Sequence, residues 1–197
     1  MKPMYSVLVV LASFMSVAST SGRMQDAAKS AAPVLKPNAS DSSAKAAAPP
    51  RPIDALSWVI GGVWTADATK LGPGIERIET RYQWSDNNAY IRFTTHFVFD
   101  KGVANTYDGN FFWNPAQNNL AVWYMDAHNA VTEGPVKVTG DQWLISFRGE
   151  DFAGKMSDLR VTVTRKTNDD YRWALSEKQG DGWKELAALE YLRAARP

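Results

Sequence analysis

The 197-residue chain has no cysteine. Neither a disulfide framework nor a thiolate-held metal is therefore open to it. Histidine is nearly absent: His96 and His128 are the two in the chain. No carboxylates stand around them at a recognisable ligand spacing, so no metal site and no cofactor are expected. Long hydrophobic runs are missing as well. Met4 to Val17 is a mostly apolar stretch of 14 residues. At 1.5 Å per residue it covers about 21 Å, short of the ~30 Å hydrocarbon core of a bilayer. There is no run of lysine and arginine to mark a nucleic-acid footprint. Gly-x-Ser-x-Gly elements, phosphate loops and dinucleotide fingerprints are absent too, so no known catalytic motif is present.

Aromatic residues are unevenly spread. Residues 18–51 hold none, whereas all eight tryptophans lie at or after Trp58. Charge divides at the same place. The first 51 residues carry 6 Lys+Arg against 2 Asp+Glu, a net of +4, and the remainder carries 16 against 19, a net of −3. Lys2, the apolar run and the small residues Ser16 to Thr20 form the three parts of a secretory signal peptide. Residues 1–19 are read as that signal and the mature chain as exported to the periplasm or beyond, with no stable membrane span. Residues 20–51 are rich in Ala, Ser, Pro and Lys. Such a segment buries too little apolar surface to offset its ordering entropy, so it reads as a disordered linker. That leaves residues 52–197 as one globular domain.

The domain opens on Leu56-Ser57-Trp58-Val59-Ile60-Gly61-Gly62-Val63-Trp64. Asp54 is placed to cap a short helix with Ile53, Leu56, Val59 and Ile60 on its apolar side, and Gly61 suits the position past its end. Beyond this point helical periodicity stops. Short alternating runs recur every 10–15 residues between clusters of Gly, Asn, Asp and Pro. Nine such clusters divide the domain into ten strand candidates. Folding strands 75–84 and 89–99 about Asp86-Asn87-Asn88 puts Tyr82 opposite Ile91 and Thr80 opposite Phe93. The same register sets Arg81 against Arg92. A hairpin through Asn114-Pro115 pairs Phe111 with Val122, Gly109 with Tyr124 and Tyr107 with Asp126. In the last two hairpins Val163 meets Trp173, Trp173 meets Leu189 and Tyr171 meets Tyr191. Each hairpin separates into an apolar and a polar face. A meander of about ten strands with one apolar face and no long helix to cover it lowers its energy by closing on itself. The expected fold is all-β, a single antiparallel up-and-down barrel behind one short helix.

Several inward side chains are candidates for chemistry. Tyr82, Phe93, Phe111, Tyr124 and Trp173 form an aromatic wall, and Tyr107 with Asp126 supplies a polar anchor, a combination suited to a small ligand. Glu177 and Glu185 face one another across Gly180-Asp181-Gly182 in the simplest register. Two carboxylates so placed can divide acid and base roles. Arg77 and His96 share the polar face of the second hairpin, and His128 falls in a turn.

Gly62-Val63-Trp64 after a short helix, with Arg193 on the last strand, resembles the signature of the lipocalin and fatty-acid-binding (calycin) barrels. It is also similar to a family of exported bacterial lipocalin-like domains that open on a Leu…Gly-x-Trp element. The resemblance covers roughly residues 53–194. It implies that Trp64 plugs one end of the barrel while Arg193 packs over it, a cation–π contact of about 0.5–2 kcal/mol. Two calycin features are missing: the helical lid of the fatty-acid-binding proteins and the disulfides of many lipocalins. Haem-binding barrels of similar shape, the nitrobindins, use an inward histidine near the chain end, and none stands there. The expected function is the binding of a small apolar or amphipathic molecule inside the barrel. The alternatives are an enzyme that uses lumen carboxylates and a solid interaction domain that presents the Arg77–His96 face. The oligomeric state is left open.

Overall fold

The computed structural model describes residues 50–127, 129–150 and 156–194. The expected signal peptide, most of the expected linker and His128 lie outside the described residues. A 3-10 helix, Pro52–Val59, leads into ten strands. They are β1 (Val63–Asp67), β2 (Ile75–Trp84), β3 (Ile91–Phe99), β4 (Gly102–Asn114) and β5 (Asn119–Met125), followed by β6 (Val131–Thr139), β7 (Gln142–Glu150), β8 (Met156–Arg165), β9 (Asp170–Gln179) and β10 (Gly182–Ala194). Each strand pairs antiparallel with its neighbours in sequence, and β1 also pairs with β10. The sheet therefore closes into an up-and-down barrel without a free edge.

Closure is built around Trp64. Its indole is fully buried and donates Nε1–H to the carbonyl of Val59 at 2.8 Å. Trp64 pairs in register with Arg193, whose guanidinium lies 4.3 Å from the ring centroid. The guanidinium also takes up the helix end. Nη1 donates to the carbonyls of Ile60 and Gly61 at 2.8 and 2.7 Å, and Nη2 to that of Trp58 at 2.6 Å. A helix leaves its last carbonyls without internal partners, and here one planar fork satisfies that of Trp58 together with those of Ile60 and Gly61 just past the helix end. Arg193 further reaches the Asn168 carbonyl at 2.9 Å and pairs with Asp169 at 2.9 Å. First strand, last strand, helix and β8–β9 turn thus meet on one side chain. Gly62 makes the approach possible. Its φ is +74°, and a Cβ built there would sit 3.0 Å from Arg193 Cγ.

The helix itself starts differently from expectation. Asp54 is not its cap but its third residue. Its carboxylate accepts from the Arg51 backbone N–H at 2.8 Å, while the Arg51 guanidinium bonds it at 2.7 Å. Arg51 holds the Asp54 carboxyl below the usual carboxylate range by this side-chain bond above all. Ile53, Leu56 and Val59 are buried as anticipated, whereas Ile60 is the half-buried closing residue.

Two registers also differ. In the β2–β3 hairpin Tyr82 pairs with Phe93, Thr80 with Thr95 and Ile78 with Phe97, two residues away from the expected pairing. The turn is longer than Asp86-Asn87-Asn88 alone. Ser85 N–H donates to the Tyr90 carbonyl at 2.9 Å, and Ser85 Oγ accepts from the N–H groups of Ala89 and Tyr90 at 3.0 and 3.2 Å. Ala89 and Tyr90 are thereby taken out of the strand. The shift preserves the inward face, because its step is even, and it removes the Arg81–Arg92 encounter. Arg81 now faces Thr94, and Arg92 faces Gln83. In the β9–β10 hairpin a bulge falls between Glu185 and Ala187. One extra residue reverses the faces on the turn side of the bulge. Glu177 therefore pairs with Lys184, and Glu185 pairs with Ser176. Tyr171–Tyr191, Trp173–Leu189 and Leu175–Ala187, on the far side of the bulge, keep the expected register.

Two substitutions test the closure. Arg193→Lys keeps the charge but not the planar fork, and is expected to lower the unfolding free energy by about 2–3 kcal/mol in urea denaturation. Gly62→Ala is expected to cost about 1–2 kcal/mol through its left-handed backbone. Losses of only a few tenths in both would mean that the end of the barrel does not depend on this contact.

Candidate ligand-binding cavity

The inward faces leave a cavity of about 170 Å³ along the barrel axis. One end is filled by aromatic rings. Trp58 packs edge-on against Trp64 at 5.9 Å and lies 5.0 Å from Trp143, while Tyr171 sits 4.7 Å from Trp64 and stacks on Tyr191 at 4.7 Å. These rings come from the helix, β1, β7, β9 and β10. Such contacts add about 0.5–1.5 kcal/mol each beyond the area they bury. They make this end a rigid floor. The other end is approached by Leu71, Phe97, Phe147 and Leu186, all of which line the cavity.

Between the ends runs an aromatic wall. Tyr82, Phe93, Gly109 and Tyr124 occupy successive strands in one row. Phe93 lies 6.1 Å from Tyr82 and 6.3 Å from Tyr124. The row fits because its third member has no side chain. A Cβ on Gly109 would approach Phe93 Cζ and Tyr124 Cβ to 2.5 Å. Gly109 was not among the sequence candidates. Its signal was there: a glycine on the inward side of a strand, flanked in register by two rings, marks a close approach.

Six of the seven ligand candidates line the cavity: Tyr82, Phe93, Tyr107, Phe111, Tyr124 and Trp173. Asp126 does not line it. It is buried in the β5–β6 turn, where its Oδ1 accepts from the Ala130 N–H at 2.9 Å and its own N–H donates to the Ala130 carbonyl at 3.0 Å. Asp126 acts on the lumen at a distance. Burial, and then its negative charge, pushes the Tyr107 hydroxyl well above the usual tyrosine value.

Neither of the other constellations gathers as expected. Glu177 accepts from Ser157 Oγ at 2.7 Å, whereas Glu185 turns outward into an ion pair with Arg172 at 2.7 Å. The bulge has placed the two carboxylates on opposite faces, so they form no acid–base pair. On the outer face of β2, Arg77 is held by Glu79 at 2.8 Å, and His96 Nδ1 meets Thr106 Oγ1 at 3.0 Å. Among the described residues no group of three or more His, Asp or Glu is arranged to hold a metal ion.

The polar groups of the lumen are neutral. Among the described residues, no charged side chain lines the cavity. Tyr82 and Tyr171 approach hydroxyl to hydroxyl at 3.4 Å, and Thr80 bonds Thr95 at 2.9 Å. Burial pushes the Tyr82 hydroxyl up to about 12 and raises Tyr171 and Tyr191 as well. All three stay protonated through the neutral range. Trp143 differs from them. It is 1% exposed, and its Nε1 has no hydrogen-bond partner among the described residues.

These features define a class: a closed ten-stranded antiparallel barrel, plugged at one end by Trp64 and Arg193, around a small neutral aromatic lumen. No protein-family model matches the chain, and no match is found among curated proteins.

The tyrosines set a pH response. A raised folded pKa means that the native state holds its proton after the unfolded chain has lost it. The stabilisation is complete below the unfolded value, about 10, and is lost as pH rises through the folded value. The melting temperature is expected to stay level to about pH 9 and to fall progressively between about pH 10 and pH 12. Ultraviolet titration of phenolate should show a late fraction that ionises together with unfolding. Ionisation of every tyrosine near pH 10 in folded protein would contradict the buried cluster.

Proposed function

We propose that the protein is an exported, lipocalin-like binding barrel that holds a small apolar or amphipathic molecule in its lumen. The observation that carries this reading is the cavity of about 170 Å³ walled by rings from β2, β3, β4, β5, β7, β9 and β10. A core packed for stability alone leaves few voids larger than water. A cavity of about 150 Å³ lined by apolar side chains takes up benzene, which sets the scale. Most drug-sized ligands need about 300–1,000 Å³, so a long acyl chain does not fit this lumen as it stands. Export is supported by the signal-like N-terminus, and lipocalin likeness by the joint placement of Gly62, Trp64 and Arg193. The enzyme alternative loses its strongest support with the separation of Glu177 from Glu185.

The test is displacement of a fluorescent apolar dye, together with native mass spectrometry of protein purified from its host. Dye uptake is expected, with a bound small molecule in the spectrum. Ala187 lines the lumen. Ala187→Phe is expected to keep the barrel fold by circular dichroism and to weaken dye binding at least tenfold. Dye that does not bind the wild-type chain, or binds the filled variant equally well, refutes a luminal site.

A further inference from the structure

We infer that the lumen selects a neutral single-ring molecule that carries a hydrogen-bond donor, a ring alcohol or phenol, and that Tyr107 Oη is the acceptor that receives it. This guest chemistry rests on the proposed binding function and narrows it.

Size sets the ring count. About 170 Å³ is little more than a benzene cavity, so the guest is one substituted ring or a compact equivalent. Polarity sets the contact. Seven hydroxyls stand in the lining, and six of them are answered inside the protein. Tyr82 meets Tyr171, Thr80 meets Thr95, Tyr191 bonds Thr80, and Tyr124 bonds Thr132. The seventh belongs to Tyr107. It has no hydrogen-bond partner among the described residues and, unlike Trp143 Nε1, it is not sealed from water. Tyr107 lines the cavity with 8% of its surface exposed. It lies 5.3 Å from Phe97 and 6.2 Å from Tyr124, toward the end of the lumen away from Trp64. A guest in the cavity therefore meets there a hydroxyl that the protein leaves unused.

Two features set the direction of the bond. Met125 pairs with Asp108, which brings Asp126, the next residue, to the level of Tyr107 where β5 turns. Burial first, and then the Asp126 charge, keep the Tyr107 phenol protonated. The same negative charge draws the hydroxyl hydrogen toward itself and leaves the oxygen lone pairs to the lumen. The lining indoles of Trp143 and Trp173 can donate but not accept, so they offer nothing to a guest that donates. A guest hydroxyl is thus answered at Tyr107 Oη. An anionic guest is disfavoured, because among the described residues the lining holds no cation and Asp126 stands behind Tyr107.

The experiment uses the full chain, its Tyr107→Phe variant and three single-ring probes of equal non-hydrogen atom count. Benzyl alcohol donates and accepts, anisole only accepts, and ethylbenzene does neither. Each probe is compared with itself across the two proteins, so its own hydration cancels. Titration calorimetry is expected to show benzyl alcohol binding about fivefold more weakly to Tyr107→Phe, with anisole and ethylbenzene unchanged. In wild-type protein labelled with ¹³C at tyrosine Cζ, the Tyr107 resonance is expected to move further with benzyl alcohol than with the other two. If the variant misfolds, this resonance decides alone, and equal movement with all three probes overturns the inference. Unchanged benzyl alcohol affinity in the folded variant, or an equal loss for every probe, overturns it and leaves the binding function standing. An anisole loss as large as that of benzyl alcohol overturns it likewise, since Tyr107 would then be donating. Failure of the three probes where the apolar dye binds overturns the guest chemistry alone, and failure of probes and dye together overturns both.

Discussion

One guanidinium carries the architecture. Arg193 lies on the Trp64 indole and at the same time answers the carbonyls of Trp58, Ile60 and Gly61. Each partner alone is worth little, and together they solve two problems at once. Past the short helix the carbonyls of Trp58, Ile60 and Gly61 need donors, and the barrel needs its last strand fixed beside its first. A lysine offers a point charge for one of these needs. The planar fork serves both, which is why the position on the last strand and the Gly62-x-Trp64 element on the first belong to one device. Gly62 is the spacer that lets the two strands approach.

The closed end then determines what the remaining space can be. Once Trp58, Trp64, Tyr171 and Tyr191 are stacked beneath Arg193, the interior at that end is solid. The free volume is displaced toward the middle of the barrel, where the row from Tyr82 through Gly109 to Tyr124 lies. Ten strands enclose more interior than their side chains fill, and the difference is the lumen. Its wall is aromatic on several sides, the hydroxyls of Tyr82, Tyr171, Thr80 and Thr95 pair with one another, and ion pairs such as Arg172–Glu185 and Lys166–Glu190 stand on the outer surface.

How much of this could be read from residues alone depends on parity. Strand side chains alternate with a period of two, so any even error in register leaves the inward set intact. The β2–β3 pairing was displaced by two residues, yet Tyr82 and Phe93 still face inward and line the cavity. An odd error inverts everything beyond it. The bulge between Glu185 and Ala187 is such an error, and it dissolved the Glu177–Glu185 pair. Turn chemistry predicts where a chain reverses. It does not reveal a bulge inside a strand of ordinary residues. Asp126 escaped for a related reason: extending the strand alternation past Met125 treats a turn as if it were sheet.

The buried polar groups bear on why the lumen is not simply filled. Phenylalanine at position 143 would pack against Trp58 and Phe111 with no donor left to satisfy, and leucine or isoleucine at the tyrosine positions would avoid buried hydroxyls altogether. A barrel selected for stability alone gains from such replacements. The hydroxyls of Tyr82, Tyr171, Tyr191, Thr80 and Thr95 have partners within the lumen, so they are tolerated at little cost. The same arithmetic explains the absence of charge from the lining. A buried cation would cost more than a small neutral guest returns. A neutral wall therefore keeps the barrel stable around the space that its side chains leave.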